Sequence, residues 1–398
     1  MPFTAEATGW WNVEKTDVKW LLLRFKASAD ERYFFEPGQN PVTPTGPPIA
    51  MVRDGNVTVD TGPLRVALSG TKPVLFDQAL LNGHPMLAEV QPPFVLTLAD
   101  GKGVVHTVIH NWRVTLEEAT PLYASVKATA FFHSHSGLSY MEKPVARLDV
   151  RYEFFQGESF VRVFHTLTWM VNNYMVGGRE ISLGLRPNLG ETGTARLGMS
   201  DAAGLPWETH WNPARQLTAQ QDEADHFAVT AGNQKATEGK RLGGWINLQG
   251  QDGRGISIAL RHAWQMYPNA FEVGDGRLHV QLWPSRGPSM SFTPRALMTP
   301  EFFHHPVWKV HPWTREEGHF VHERARHEFF QYTAEGAART HELTFSFHDQ
   351  TSRRSPPELN ALTQRPLALR QDPVGAFPFL LLSPDRPQAG PGSDAGNH

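Results

Sequence analysis

The stretch RGISIALRHAWQMYPNAFEV (254–273) sets a cation, an imidazole, an indole, an amide and a phenol within seven residues: Arg261, His262, Trp264, Gln265 and Tyr267. An arginine fork pairs bidentately with a carboxylate, an indole stacks on a pyranose face, and imidazole or phenol moves protons. The preceding residues Ile256, Ile258 and Leu260 alternate as a strand does, so the five follow from a strand end, where side chains are free to line a cleft. The set also has a structural reading, in which Trp264 and Tyr267 cap the core and Arg261 forms an ion pair.

Two more imidazoles sit on apolar faces. His165, in FVRVFHTLTW, shares its face with Val161, Val163 and Leu167; His341, in THELTFSFH, shares one with Leu343, Phe345 and Phe347. A hydrogen-bonded core histidine is the default for such a position, with proton transfer (His165) or substrate contact (His341) as the functional reading. LWPSR (282–286) offers Trp283 and Arg286 as sugar contacts, with structural roles equally open.

The sequence also excludes much. His304, His305, His311, His319, His322 and His327 crowd one stretch, but His322 and His327 in HERARHE are five apart, whereas a zinc-binding H-E-x-x-H needs four to bring both rings to one helical face. No metal site is expected there. There is no phosphate-cradling Gly-rich loop, no G-x-S-x-G elbow and no EF-hand loop, so no cofactor is expected. The absence of cysteine removes disulfides, thiolate metal sites and a thiol nucleophile. With 37 Lys+Arg against 40 Asp+Glu, no overall field draws nucleic acid. No run of 18 apolar residues reads as a membrane span and MPFTAEATGWW lacks the form of a signal peptide, so a soluble chain is expected, of unassigned compartment and oligomeric state.

Strands must position these side chains. From about residue 55 the period-2 pattern persists: Leu64, Val66 and Leu68 face one way, Arg65, Ala67 and Ser69 the other, and a dozen such runs follow, separated by Asp100-Gly101, Gly137 and Asp275-Gly276. The 34 glycines and 31 prolines punctuate apolar runs instead of forming a low-complexity tract. With no long amphipathic helix among them, the fold expected over 55–350 is a large two-sheet antiparallel β-sandwich, all-β in class. Around 298–335 the alternation is lost, which fits a short helix or an irregular excursion. Residues 1–50 hold the strand-like VKWLLLRFKA and a Pro/Gly/Thr linker; beyond 350 the chain turns Pro-rich and polar, with a disordered end expected.

Seven strings in order, VKWLLLRF (18–25), VTVDTGPLRVALSG (57–70), GESFVRVFHTLTW (157–169), GISIALRHAWQMYPNAFEV (255–273), LWPSRG (282–287), EGAARTHELTFSFH (335–348) and RPLALRQDP (365–373), resemble the exo-rhamnogalacturonan lyase family, which includes the YetA-like proteins. The resemblance implies that 1–50 is the tail of an N-terminal RIFT-type β-barrel, 51–350 the central sandwich, and 351–398 the lead-in to an α/α toroid that the chain lacks. It implies cleavage of an acidic plant cell-wall polysaccharide by β-elimination. That chemistry needs a group to neutralise the uronate carboxylate, a base for the adjacent proton and an acid for the leaving oxygen. Arg261 or Gln265, His262 or His165, and Tyr267 are the respective candidates, with Trp264, Trp283, Arg286 and His341 as further sugar contacts. A non-catalytic carbohydrate-binding or scaffolding sandwich is the alternative. A glycoside hydrolase would want two carboxylates about 5–10 Å apart, for which Glu117, Glu118 and Asp149 are available but unpaired by any motif.

Overall fold

The computed structural model describes residues 3–25, 44–100, 103–134, 144–171, 177–199, 206–287, 289–290, 335–352 and 354–365. The chain divides into two units, 1–364 and 365–398, and every strand and helix among the described residues belongs to the first. The turn signal at Gly137 and the His-rich stretch 304–327 lie outside the described residues.

β1 (Phe3–Trp10) and β2 (Val18–Phe25) pair as an antiparallel hairpin, so the VKWLLLRF strand has its own partner. β3 (Ala50–Arg53), β4 (Asn56–Asp60), β5 (Leu64–Leu68), β6 (Gln78–Leu81) and β7 (His84–Pro85) form a five-stranded meander. Asp54-Gly55 and Asn82-Gly83, all at positive φ, close its two-residue turns, the conformation these dipeptides favour because it matches strand twist. In β5, Leu64, Val66 and Leu68 are buried and Arg65 is exposed, as the alternation requires.

The remaining strands make one hydrogen-bonded ribbon of sixteen. Its hinge is β9 (Gly103–Ala119), whose first residues pair with β8 (Val95–Asp100) and whose longer remainder pairs with β10 (Tyr123–Ser134). On the β10 side follow β11 (Ala146–Phe155), β12 (Phe160–Trp169), then β23 (Ala338–His348), β20 (Gly255–Leu260), β19 (Trp245–Gly250), β14 (Gly193–Leu197) and β15 (Trp207–Trp211). On the β8 side follow β13 (Gly177–Leu185), β22 (Arg277–Trp283), β21 (Asn269–Gly274), β16 (Leu217–Glu223), β17 (His226–Ala231) and β18 (Gln234–Gly239). The two arms are the layers of the expected sandwich. Each lays its alternate residues into a shared core, Val161, Val163, Leu343 and Phe345 from one and Leu183, Leu185, Leu278 and Val280 from the other. Phe76 packs against Phe345, Phe347 and Tyr152 with ring centroids 5.6, 5.9 and 5.8 Å apart.

The one helix among the described residues is α1 (Pro356–Gln364), in a stretch that composition marks only as Pro-rich. Ser355 and Glu358 form a capping box: the Glu358 carboxylate accepts from the Ser355 backbone N–H at 2.8 Å, and Pro356 takes the first helical position, where its missing N–H costs nothing. The helix lies over β19, β20 and β23, with the Thr363 hydroxyl donating to that of Thr344 at 2.8 Å. No helix among the described residues is long and apolar enough to cross a membrane.

Candidate functional site

The core ends in a layer of polar side chains. Along the inward face of β12 run Val161, Val163, His165, Leu167 and Trp169; along that of β23 run Phe345, Leu343, His341 and Arg339. The strands pair in the register Val163 with Leu343, His165 with His341 and Leu167 with Arg339. The two imidazoles are therefore direct cross-strand neighbours on one face, and Arg339 lies one step beyond them. Opposite, Ile181 of β13 pairs with Trp283 of β22. The register jumps from Ile181–Trp283 to Ser182–Gln281, leaving Leu282 as the extra residue of a bulge, and that bulge brings Trp283 to the inner face with Ile181.

Between these layers lies a cleft of about 340 Å³ lined by His165, Trp169, Trp283, Arg339, His341 and the aliphatic side chains around them. Trp169 reaches its wall because Gly178 has no side chain: a Cβ there would stand 3.1 Å from the indole.

The electrostatics of the cleft are unbalanced. His165 and His341 are each 2% exposed. Nδ1 of His165 and both ring nitrogens of His341 have no hydrogen-bond partner among the described residues. Burial pushes the His165 imidazole down to about 4, and burial, then the charges of Arg339 and His165, hold His341 well below the usual histidine range. Arg339 donates to the Met266 carbonyl at 2.7 Å but has no carboxylate partner among the described residues, and burial lowers its guanidinium. Buried charges are normally paired and buried polar nitrogens hydrogen-bonded, so among the described residues this cluster is short of acceptors and of negative charge.

The 199–364 segment matches the sequence profile of the PcRGLX-like protein central beta sandwich domain. The match spans Trp283, Arg339 and His341, whereas His165, Trp169 and Ile181 lie before it. No curated protein matches the chain. Among solved structures, it is similar to a protein of glycosyl hydrolase family 38 from Enterococcus faecalis (10% identity, 79% of this chain and 32% of that one, TM-score 0.41). It is also similar to an α-galactosidase from Lactobacillus brevis (9%, 76% and 39%, 0.35) and a galactose mutarotase-like protein from Lactobacillus casei ATCC 334 (8%, 74% and 100%, 0.35). This chain thus spans about a third of the glycosyl hydrolase, and at these identities the likenesses carry no argument about activity.

Of the nine side chains singled out in sequence, the structure brings His165, His341 and Trp283 together in the cleft. The cluster at 261–267 is placed otherwise. Arg261 leaves β20 toward the outer face of β23, where its guanidinium meets Glu342 at 2.7 Å, and Arg162 holds the other oxygen of that carboxylate at the same distance. Burial alone would raise the Glu342 carboxyl, but the two arginines outweigh it and keep it lowered. Trp264 is half-buried, with the Arg241 guanidinium 4.0 Å from its ring centre. His262, Gln265 and Tyr267 are exposed, and the His262 backbone N–H donates to Gln364 of α1 at 2.9 Å. Arg286 lies near Thr218 and Glu272, at 3.2 and 3.9 Å. The acids Glu117, Glu118 and Asp149 pair with Arg151, Arg24 and Arg147 and take no part in lining the cleft. Arg339 and Trp169 were missed in sequence, although period 2 places Arg339 on the face of His341 and Trp169 on that of His165.

Proposed function

We propose that the cleft captures the carboxylated ring of an acidic plant cell-wall oligosaccharide, and that the chain serves the breakdown of such polymers by β-elimination. The observation that carries this reading is the Arg339 guanidinium, without a carboxylate partner among the described residues, in one cleft with two imidazoles whose nitrogens lack hydrogen-bond partners there and with the indoles of Trp169 and Trp283. The match of 199–364 to a central sandwich domain of rhamnogalacturonan lyase-like proteins supports it further.

In this reading Arg339 neutralises the uronate carboxylate, which acidifies the proton on the adjacent carbon, and Trp283 packs against the sugar face. His165 is kept neutral by burial, the protonation state a base requires, and the carboxylate beside it raises its affinity for the proton it would remove.

One observation favours a second reading, capture without cleavage. No hydroxyl or carboxyl side chain lines the cleft among the described residues, so these residues offer no such acid for the leaving oxygen. Incubating the full chain with rhamnogalacturonan oligosaccharides and following ultraviolet absorbance of the unsaturated uronate separates the two. Absorbance gain supports the lyase. Calorimetric binding without gain leaves a carbohydrate-binding sandwich, and neither gain nor binding removes the proposal.

A further inference from the structure

Building on the acidic-sugar reading of the same cleft, we propose that the anion is bound together with a proton, taken from solvent onto a ring nitrogen of His341. The imidazole is neutral in the empty cleft and cationic in the filled one; no covalent bond is made or broken apart from this N–H.

The geometry leads there because, among the described residues, His341 is the one imidazole lining the cleft with no hydrogen-bond partner for either nitrogen. The groups facing it are few. Among the described residues, β12 contributes His165, with Leu167 and Trp169; its own strand contributes Arg339; β13 and β22 contribute Ile181 and Trp283; and Met290 also lines the cleft. None of these is a carboxylate. The nearest acid in sequence, Glu342, points to the opposite face and is held by Arg162 and Arg261. Among the described residues, burial and the charges of Arg339 and His165 all oppose a second positive charge on His341.

A carboxylate reverses the balance. An opposite charge within about 4–6 Å favours the charged form of an ionisable group by roughly 1–3 pK units. An imidazolium offers two N–H donors where the neutral ring offers one, so both nitrogens can be satisfied at once by a ligand rich in oxygen. Arg339 is charged in either state and takes up nothing. His165 has one partnerless nitrogen and stacks obliquely against Phe94 with centroids 6.0 Å apart, which leaves it less to gain.

The test is titration calorimetry of the full chain with a galacturonic acid trimer, at one pH near 6.5, in two buffers of different ionisation heat. The expected result is a binding heat that differs between the buffers, corresponding to uptake of up to one proton. As pH rises between the pKa of the free imidazole and that of the bound one, the affinity should fall by up to about tenfold per pH unit, and it should level off above the latter. His341→Asn should abolish both the buffer difference and the pH slope, while His165→Asn retains them. The buffer comparison on the wild type needs no variant, so it stands even if a substitution at this buried position prevents folding. Identical heats in both buffers with a flat pH profile would overturn the proposal and leave the acidic-sugar reading intact; a buffer difference that survives in His341→Asn would overturn it equally. No binding of the trimer at any pH would remove both.

Discussion

Replacing His165 by asparagine should flatten the acid limb of the stability profile. In the native state burial holds this imidazole down to about 4, against about 6.5 for an unfolded chain. Between those values the unfolded state binds more protons than the native one, so stability is complete above about pH 6.5 and is lost as pH falls toward 4. The difference of about 2.5 units, at 1.36 kcal/mol each, amounts to about 3 kcal/mol contributed by this one side chain. His348, also lowered to about 4 by burial, and His341 act in the same direction, so the wild type should lose more than that in total. The assay is urea unfolding followed by tryptophan fluorescence at several pH values between about 7.5 and 4. The drop across this range should be smaller in His165→Asn by about 3 kcal/mol, whatever the variant costs at neutral pH. Equal drops would refute the reasoning, because they would mean that His165 is protonated as readily in the folded chain as in the unfolded one.

Three further outcomes are expected from the geometry. Arg261→Ala removes one of the two guanidinium partners of Glu342 and should cost about 1.5–3 kcal/mol in urea unfolding, with affinity for a uronate trimer unchanged in calorimetry. Ser355→Ala opens the capping box of α1 and should cost about 1 kcal/mol in the same unfolding assay. Trp283→Ala deletes one aromatic wall of the cleft and should weaken trimer binding by about tenfold, while thermal stability falls less than for a fully buried aromatic, since the ring is only half-buried.

The layered fold was legible because strand alternation is local. The faces assigned to His165 and His341 follow from their own neighbours within three or four residues, and both side chains are buried on those faces. Their meeting was not legible. It depends on β12 and β23 pairing in one register, and nothing within either strand states its partner. Trp283 was visible only as a residue type, since its inward aim comes from a bulge that shifts the parity of β22. The surroundings of the crowded set at 261–267 were not legible for a related reason: Arg261 lies beside Glu342 only after β20 and β23 pair, and a strand end rich in chemistry reads the same whether it faces ligand or a neighbouring strand. α1 is different, because the S-P-P-E signature of its capping box was present in the sequence and was outweighed by the Pro-rich composition around it.

In the proposed complex Arg339 is the group that meets the carboxylate. The most direct measurement is calorimetric affinity of wild type and Arg339→Gln for a galacturonic acid trimer and for a neutral galactose trimer. Loss of a charge-assisted hydrogen bond predicts a decrease of about 1.5–3 kcal/mol for the acidic trimer, roughly 10- to 150-fold, with little change for the neutral one. Equal affinity of the wild type for both trimers, or an unchanged affinity of Arg339→Gln for the acidic one, would contradict that role.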